Sequence, residues 1–185
     1  MSIQIPPARM MVPRILWGAL FVTTVIYLGV LQFMARFGEI PAAPVEPLMP
    51  LAFGVVGLVV AAVSVLLPRH MYRQALQELQ LEVVTQVDER GGAVLFRDAA
   101  PTIRVFKDPA AVVRSVMPRF FTPFILGMAL AEAVALFGFT LAMMGLPLLH
   151  ALPFWAVAWA LMIVHFPAVR RILGPLESLY DVVLK

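Results

Sequence analysis

The stretch Phe124-Ile-Leu-Gly-Met-Ala-Leu-Ala-Glu132-Ala-Val-Ala-Leu-Phe-Gly-Phe-Thr-Leu-Ala-Met-Met144 decides the fold. Glu132 is its one charged residue. A helix rises about 1.5 Å per residue, so a run of this length crosses the roughly 30 Å hydrocarbon core of a bilayer and carries Glu132 near the midplane. An ionisable group at that depth is expensive, which makes it a functional candidate. Hydrocarbon favours the neutral, protonated form of such an acid. The same residue has a plainer reading, as a hydrogen bond that holds two helices together without turnover.

The rest of the chain has the same character. Of its 185 residues 62% are hydrophobic and only 14% are charged, against about 45–50% apolar residues in an ordinary soluble domain. The apolar residues gather in four blocks, Ile15–Met34, Leu48–Leu67, Phe124–Met144 and Leu148–Phe166, each about one span long. The expected fold is an all-α integral membrane protein with four transmembrane helices, arranged as two duplicated hairpins with a small cytoplasmic insertion. Residues 1–67 form the first hairpin with an N-terminal tail, 68–122 the cytoplasmic connector, 123–167 the second hairpin bearing Glu132, and 168–185 a C-terminal tail. The first block is too long for a secretory h-region, and no small-residue cleavage pattern follows it, so it reads as a retained helix.

Charge sorting gives the orientation. Among the 14 Lys and Arg residues, only Arg36 falls on the side opposite the others. The positive-inside rule then makes both termini and the 68–122 connector cytoplasmic. The excess of arginine over lysine, with abundant Ala and Val, suggests a bacterial protein, hence the inner membrane. The net charge of +3 follows from this sorting and is not a nucleic-acid signal. The expected partners are the lipid bilayer and a homo-oligomer or larger membrane complex. With no cysteine, disulfide and thiolate chemistry are excluded.

The two halves resemble each other at an offset of 110: Ile15-Leu-Trp-Gly-Ala-Leu20 against Ile125-Leu-Gly-Met-Ala-Leu130, then Tyr27 against Phe137 and Leu31 against Leu141. Pro47-Leu48 and Pro147-Leu148 open the second helix of each half. A duplication of this sense relates the halves by an axis along the membrane normal. Val22 then occupies the register of Glu132, with Thr23 and Thr24 at nearly the same depth.

In the connector, Arg69 to about Glu82 is helical in composition and continues the second block, with Leu76, Leu79 and Val83 on one side. Ala93–Phe96 and Ile103–Phe106 are β-prone and predict a short hairpin. Asp108-Pro109 predicts a helix start running to about Met117, and Thr122-Pro123 a second start at the mouth of the third span. Arg114 and Arg119, interleaved with Val113, Val116 and Phe120, suit a membrane-surface position. Gly145-Leu-Pro147 predicts a tight turn.

Around Glu132, Gly127, Ala131 and Ala135 repeat every fourth residue, as do Ala129 and Ala133; such small-residue rows let helices approach closely in a membrane. Candidate hydrogen-bond donors to Glu132 are Thr23, Thr24, Tyr27, Ser64, Trp155 and Trp159. His150 and His165 lie near the two ends of the fourth block, about 15 Å from the midplane, where interfacial hydrogen bonding suits them. No metal-ligand spacing, nucleophile–base pair or phosphate-binding glycine loop is present, so neither a cofactor nor enzymatic catalysis is expected.

Ala129-Leu130-Ala131-Glu132-Ala133 followed by Phe137-Gly138 resembles the carboxylate-bearing helix of the rotary ATPase proteolipid, subunit c, and Lys107-Asp108-Pro109 with Arg114 is loosely similar to the polar loop before that helix. The resemblance covers about 20 residues, extending loosely to about 35. It implies that Glu132 is a reversible proton or cation carrier in an oligomer. The chain departs from the family pattern in its second block, where Gly54 and Gly57 stand in place of a glycine row, and in the span that follows the acid.

Overall fold

The computed structural model describes residues 5–38, 46–87 and 102–182. In chain order its elements are α1 (Pro7–Arg36), α2 (Leu48–Gln77), β1 (Val83–Val87), β2 (Thr102–Phe106), α3 (Pro109–Met143), α4 (Leu148–Val164) and α5 (Val169–Tyr180). α1, α2 and α3 are long and apolar enough to cross a membrane, and α4 together with α5, bent from it by 60°, is a fourth candidate. This is a multi-pass membrane protein.

α3 is the core of the bundle. Its Phe124, Met128, Ala131, Val134, Ala135 and Leu141 are buried. α1 and α2 each pack against α3 and α4 and make little contact with one another. Their outer faces carry exposed Val22, Ile26 and Val30 on α1 and Leu51, Leu58 and Leu66 on α2. A hydrocarbon solvent covers such faces at no cost, so the bundle is held by packing and interhelical hydrogen bonds rather than by expulsion of water.

Local chemistry sets the helix ends. Asp108 caps α3, its carboxylate accepting the backbone N–H groups of Ala110 and Ala111 at 2.9 Å each, with Pro109 at the first helical position where its missing N–H costs nothing. At the other end Gly145 adopts φ +104°. Its N–H donates to Ala142 O and that of Leu146 to Leu141 O, both at 3.0 Å. This is the Schellman arrangement, which needs a left-handed residue that glycine supplies without strain. The chain turns back at once into α4, which packs against α3.

Two prolines that signal breaks, Pro118 and Pro123, do not break their helix. α2 runs on through Pro68, the continuation that the composition after Arg69 predicts, and ends at Gln77. α3 runs through both Pro118 and Pro123, joining the expected surface helix and the expected third span into one. Packing carries α3 through this region: Phe120 stacks on Phe124 at 5.3 Å and meets Tyr72 edge-on at 5.8 Å. Membrane helices tolerate proline where neighbours take up the freed carbonyl groups.

The connector differs from expectation in its strands. β2 (Thr102–Phe106) includes the β-prone Ile103–Phe106, but its antiparallel partner is β1, Val83 facing Phe106 and Val87 facing Thr102. Val83 therefore belongs to a strand rather than to the helix, which stops at Gln77. Residues 93–96, read as the partner strand, lie outside the described residues. The sheet is tied at its end by Lys107 Nζ donating to Glu82 Oε2 at 2.7 Å. The hydrogen bond and the opposite charge of Glu82 raise the Lys107 pKa. Both groups are exposed, so the pair contributes little to stability. Phe106 meets Tyr180 edge-on at 5.6 Å, which seats the sheet on α5.

Candidate functional site

Tyr27 on α1 and Glu132 on α3 meet: Tyr27 Oη donates to Glu132 Oε1 at 3.0 Å. Phe139, two turns beyond Glu132 on α3, holds the phenol ring from the side, with centroids 5.6 Å apart. Both members of the pair are half-buried. Among the described residues no buried side-chain nitrogen or oxygen lacks a partner, and the partner found for Glu132 is Tyr27 through Oε1. Oε2 has no partner among the described residues and is not fully buried. The group can hold a proton or a cation there, or accept a donor from a neighbouring helix or a second copy.

The other candidate donors do not reach Glu132. The two indoles converge instead on Thr24, which is fully buried. Trp155 Nε1 donates to Thr24 O at 3.1 Å, and Trp159 Nε1 to Thr24 Oγ1 at 3.0 Å, while the Thr24 hydroxyl donates to Phe21 O at 2.7 Å. This fastens α1 to α4. Thr23 Oγ1 bonds Ala19 O at 3.0 Å, and Ser64 Oγ bonds Ala61 O at 2.8 Å, each within its own helix. Of the six, Tyr27 alone is joined to the acid, because a phenol on α1 spans the gap to α3 that the short hydroxyls spend on their own backbones.

The small-residue rows divide. Gly127, Ala131 and Ala135 are buried inside the bundle, whereas Ala129 is exposed and Ala133 half-buried, on the outward side of α3 next to Glu132. Arg114 lies 3.6 Å from the capping Asp108, and Arg119 Nη1 donates to Ser115 O at 2.9 Å, so both bind back to the first turns of α3.

Three contacts were not legible as site features. Pro68 has no N–H for the Ser64 carbonyl one turn earlier, and His165 Nε2 lies 2.9 Å from that oxygen. Its Nδ1 lies 2.6 Å from Leu161 O. Gly127 leaves the room: a Cβ there would stand 2.5 Å from the imidazole. Trp17 Nε1 donates to Met162 O at 2.8 Å, a second tie between α1 and α4. The missed signal was the pairing of an intrahelical proline with a distant interfacial histidine. Among the described residues no three His, Asp or Glu side chains gather as a metal site.

Tyr27→Phe keeps the ring on Phe139 and deletes only the hydroxyl. It is expected to lower the free energy of unfolding in mixed micelles by about 0.6 kcal/mol, the average worth of an interhelical hydrogen bond in a membrane. A double-mutant cycle with Glu132→Ala should recover that coupling; zero coupling would mean the two groups do not interact in the folded protein.

No family model, curated protein or solved structure matches the chain.

Proposed function

We propose that this is a four-span protein of the bacterial inner membrane, with both termini and the 68–122 connector cytoplasmic, whose working group is the Glu132 carboxyl. It takes up and releases a proton or cation within a proteolipid-like oligomer of duplicated hairpins, and it is not an enzyme. One observation carries the reading: Tyr27 engages one carboxyl oxygen at 3.0 Å while the other, not fully buried, has no partner among the described residues. A neutral acid donates from that open oxygen, and an ionised one accepts a cation there. Ala129 and Ala133, small and on the same outward side, support close approach of a second copy beside the acid.

The second reading is a non-transporting scaffold or accessory subunit in which Glu132 only fixes helix packing. It is favoured by the fact that the Tyr27 bond joins α1 to α3 within one chain.

Reaction with a hydrophobic carbodiimide in membranes separates them, since the reagent attacks protonated carboxyls reachable from lipid. The expected result is a pH-dependent adduct at Glu132, mapped by mass spectrometry, that is absent from Glu132→Gln, together with loss of ion flux in that variant while the folded bundle persists. An unreactive Glu132 in protein whose other acids react would reject the carrier reading in favour of the packing contact.

A further inference from the structure

A cleft of about 420 Å³ opens where the inner end of α2, the middle of α3 and the α4–α5 bend meet. Four arginines line it, Arg69 and Arg73 from α2 and Arg170 and Arg171 from α5, with Glu177 as the single acid among its lining residues. Among the described residues none of the four arginines is paired with a carboxylate. Four arginines against one carboxylate leave the cleft with a net positive charge among the described residues.

The floor of the cleft has a second character. Val65, Phe120, Phe124 and Val164 line it, and the adjoining outer surface carries exposed Leu66, Leu67 and Phe166. The cleft thus sits at the seam between an apolar, lipid-covered face and a basic rim. α5 begins beside it at Val169, and its N-terminal end adds the positive pole of the helix dipole.

We infer that this cleft binds the phosphate of an anionic phospholipid, the headgroup held by Arg69, Arg73, Arg170 and Arg171 and an acyl chain lying on the apolar seam beside Leu66. Basic pockets between membrane helices on the cytoplasmic side take such headgroups, and guanidinium forks match phosphate oxygens two at a time. A free phosphate shares the charge but makes no use of the seam, so the lipid is the better-matched source. The assignment is independent of what Glu132 does.

The test uses the full chain, delipidated in a neutral detergent and titrated with phosphatidylglycerol, phosphatidylcholine or inorganic phosphate, with binding read from the rise in unfolding temperature. Phosphatidylglycerol should bind saturably and phosphatidylcholine should not. Each surface arginine is worth about 5-fold in affinity for an anionic lipid, so Arg69→Gln with Arg171→Gln should weaken binding about 30-fold. Glu177→Gln should tighten it, by about 5-fold on the same scale, and this arm stands even where the double variant fails to fold. Arg36→Gln, at the far end of α1, should change nothing. Equal binding of the two lipids, an unchanged affinity in both cleft variants, or inorganic phosphate binding as tightly as the lipid would each overturn the assignment.

Discussion

Gly138→Ala is expected to cost about 2 kcal/mol of bundle stability and Gly138→Val about 3 kcal/mol, values at the upper end for overpacking a close contact. A Cβ at 138 would stand 2.7 Å from Phe154 Cβ, 2.8 Å from Trp155 Cζ3 and 3.1 Å from the Ala151 carbonyl oxygen. Two of these atoms are fixed to the α4 backbone, so no rotamer change relieves the clash and α4 must move away from α3. That shift also drags Trp155 from the Thr24 carbonyl. Gly18 and Gly29 on α1 are the internal comparison, since a Cβ at either meets nothing within 4 Å. Alanine there should be neutral or gain up to about 1 kcal/mol from helix propensity. Equilibrium unfolding in mixed micelles decides it: Gly138→Ala unfolding together with Gly29→Ala would show that α3 and α4 are not in close contact.

Trp155→Ala should cost about 3 kcal/mol. The side chain is 1% exposed and is the largest of the fully buried ones. Truncating a buried aromatic residue in a water-soluble core costs about 3–5 kcal/mol. In a membrane the lower end applies, because the transfer part of that cost vanishes when the alternative environment is also hydrocarbon. What remains is the lost packing against α1 and α3 and the lost hydrogen bond to Thr24 O. Trp155→Phe should recover most of the packing and fall about 1 kcal/mol short, the worth of the indole N–H. Leu149→Ala, 75% exposed at the start of α4, should be close to silent. A Trp155→Ala protein as stable as wild type would mean that the α1–α4 tie does not hold the bundle together.

The helices were legible because hydrocarbon thickness imposes one length and one composition on any span. Asp108-Pro109 and Gly145 announced their helix ends for local reasons that survive in any context. Prolines mislead where tertiary packing overrides them: Pro118 and Pro123 each signal a boundary in water, and both sit inside α3. The β1 partner was missed because Val83–Val87 follows so closely on the end of α2 that its apolar residues fit a helical period as well as an alternating one. Glu132 was conspicuous as a lone charge. Which of six polar neighbours would reach it depends on how α1 lies against α3, and apolar helix surfaces encode that angle weakly. The arginine cleft escaped for a related reason: Arg69 and Arg171 are separated by most of the chain and meet only because α5 folds back at the bend.

The separation of α1 from α2 has a consequence for how the chain is made. A nascent chain presents its N-terminal segments first, and here the first two helices have almost nothing to say to each other. Until α3 emerges they are solvated by lipid alone, with Tyr27 lacking Glu132 and Thr24 lacking the two α4 indoles. Assembly is therefore deferred to the second half of synthesis, when α3 arrives as the shared partner of both and α4 fastens α1 through Trp17, Trp155 and Trp159. A chain halted before α3 would therefore hold two helices that do not yet form a bundle.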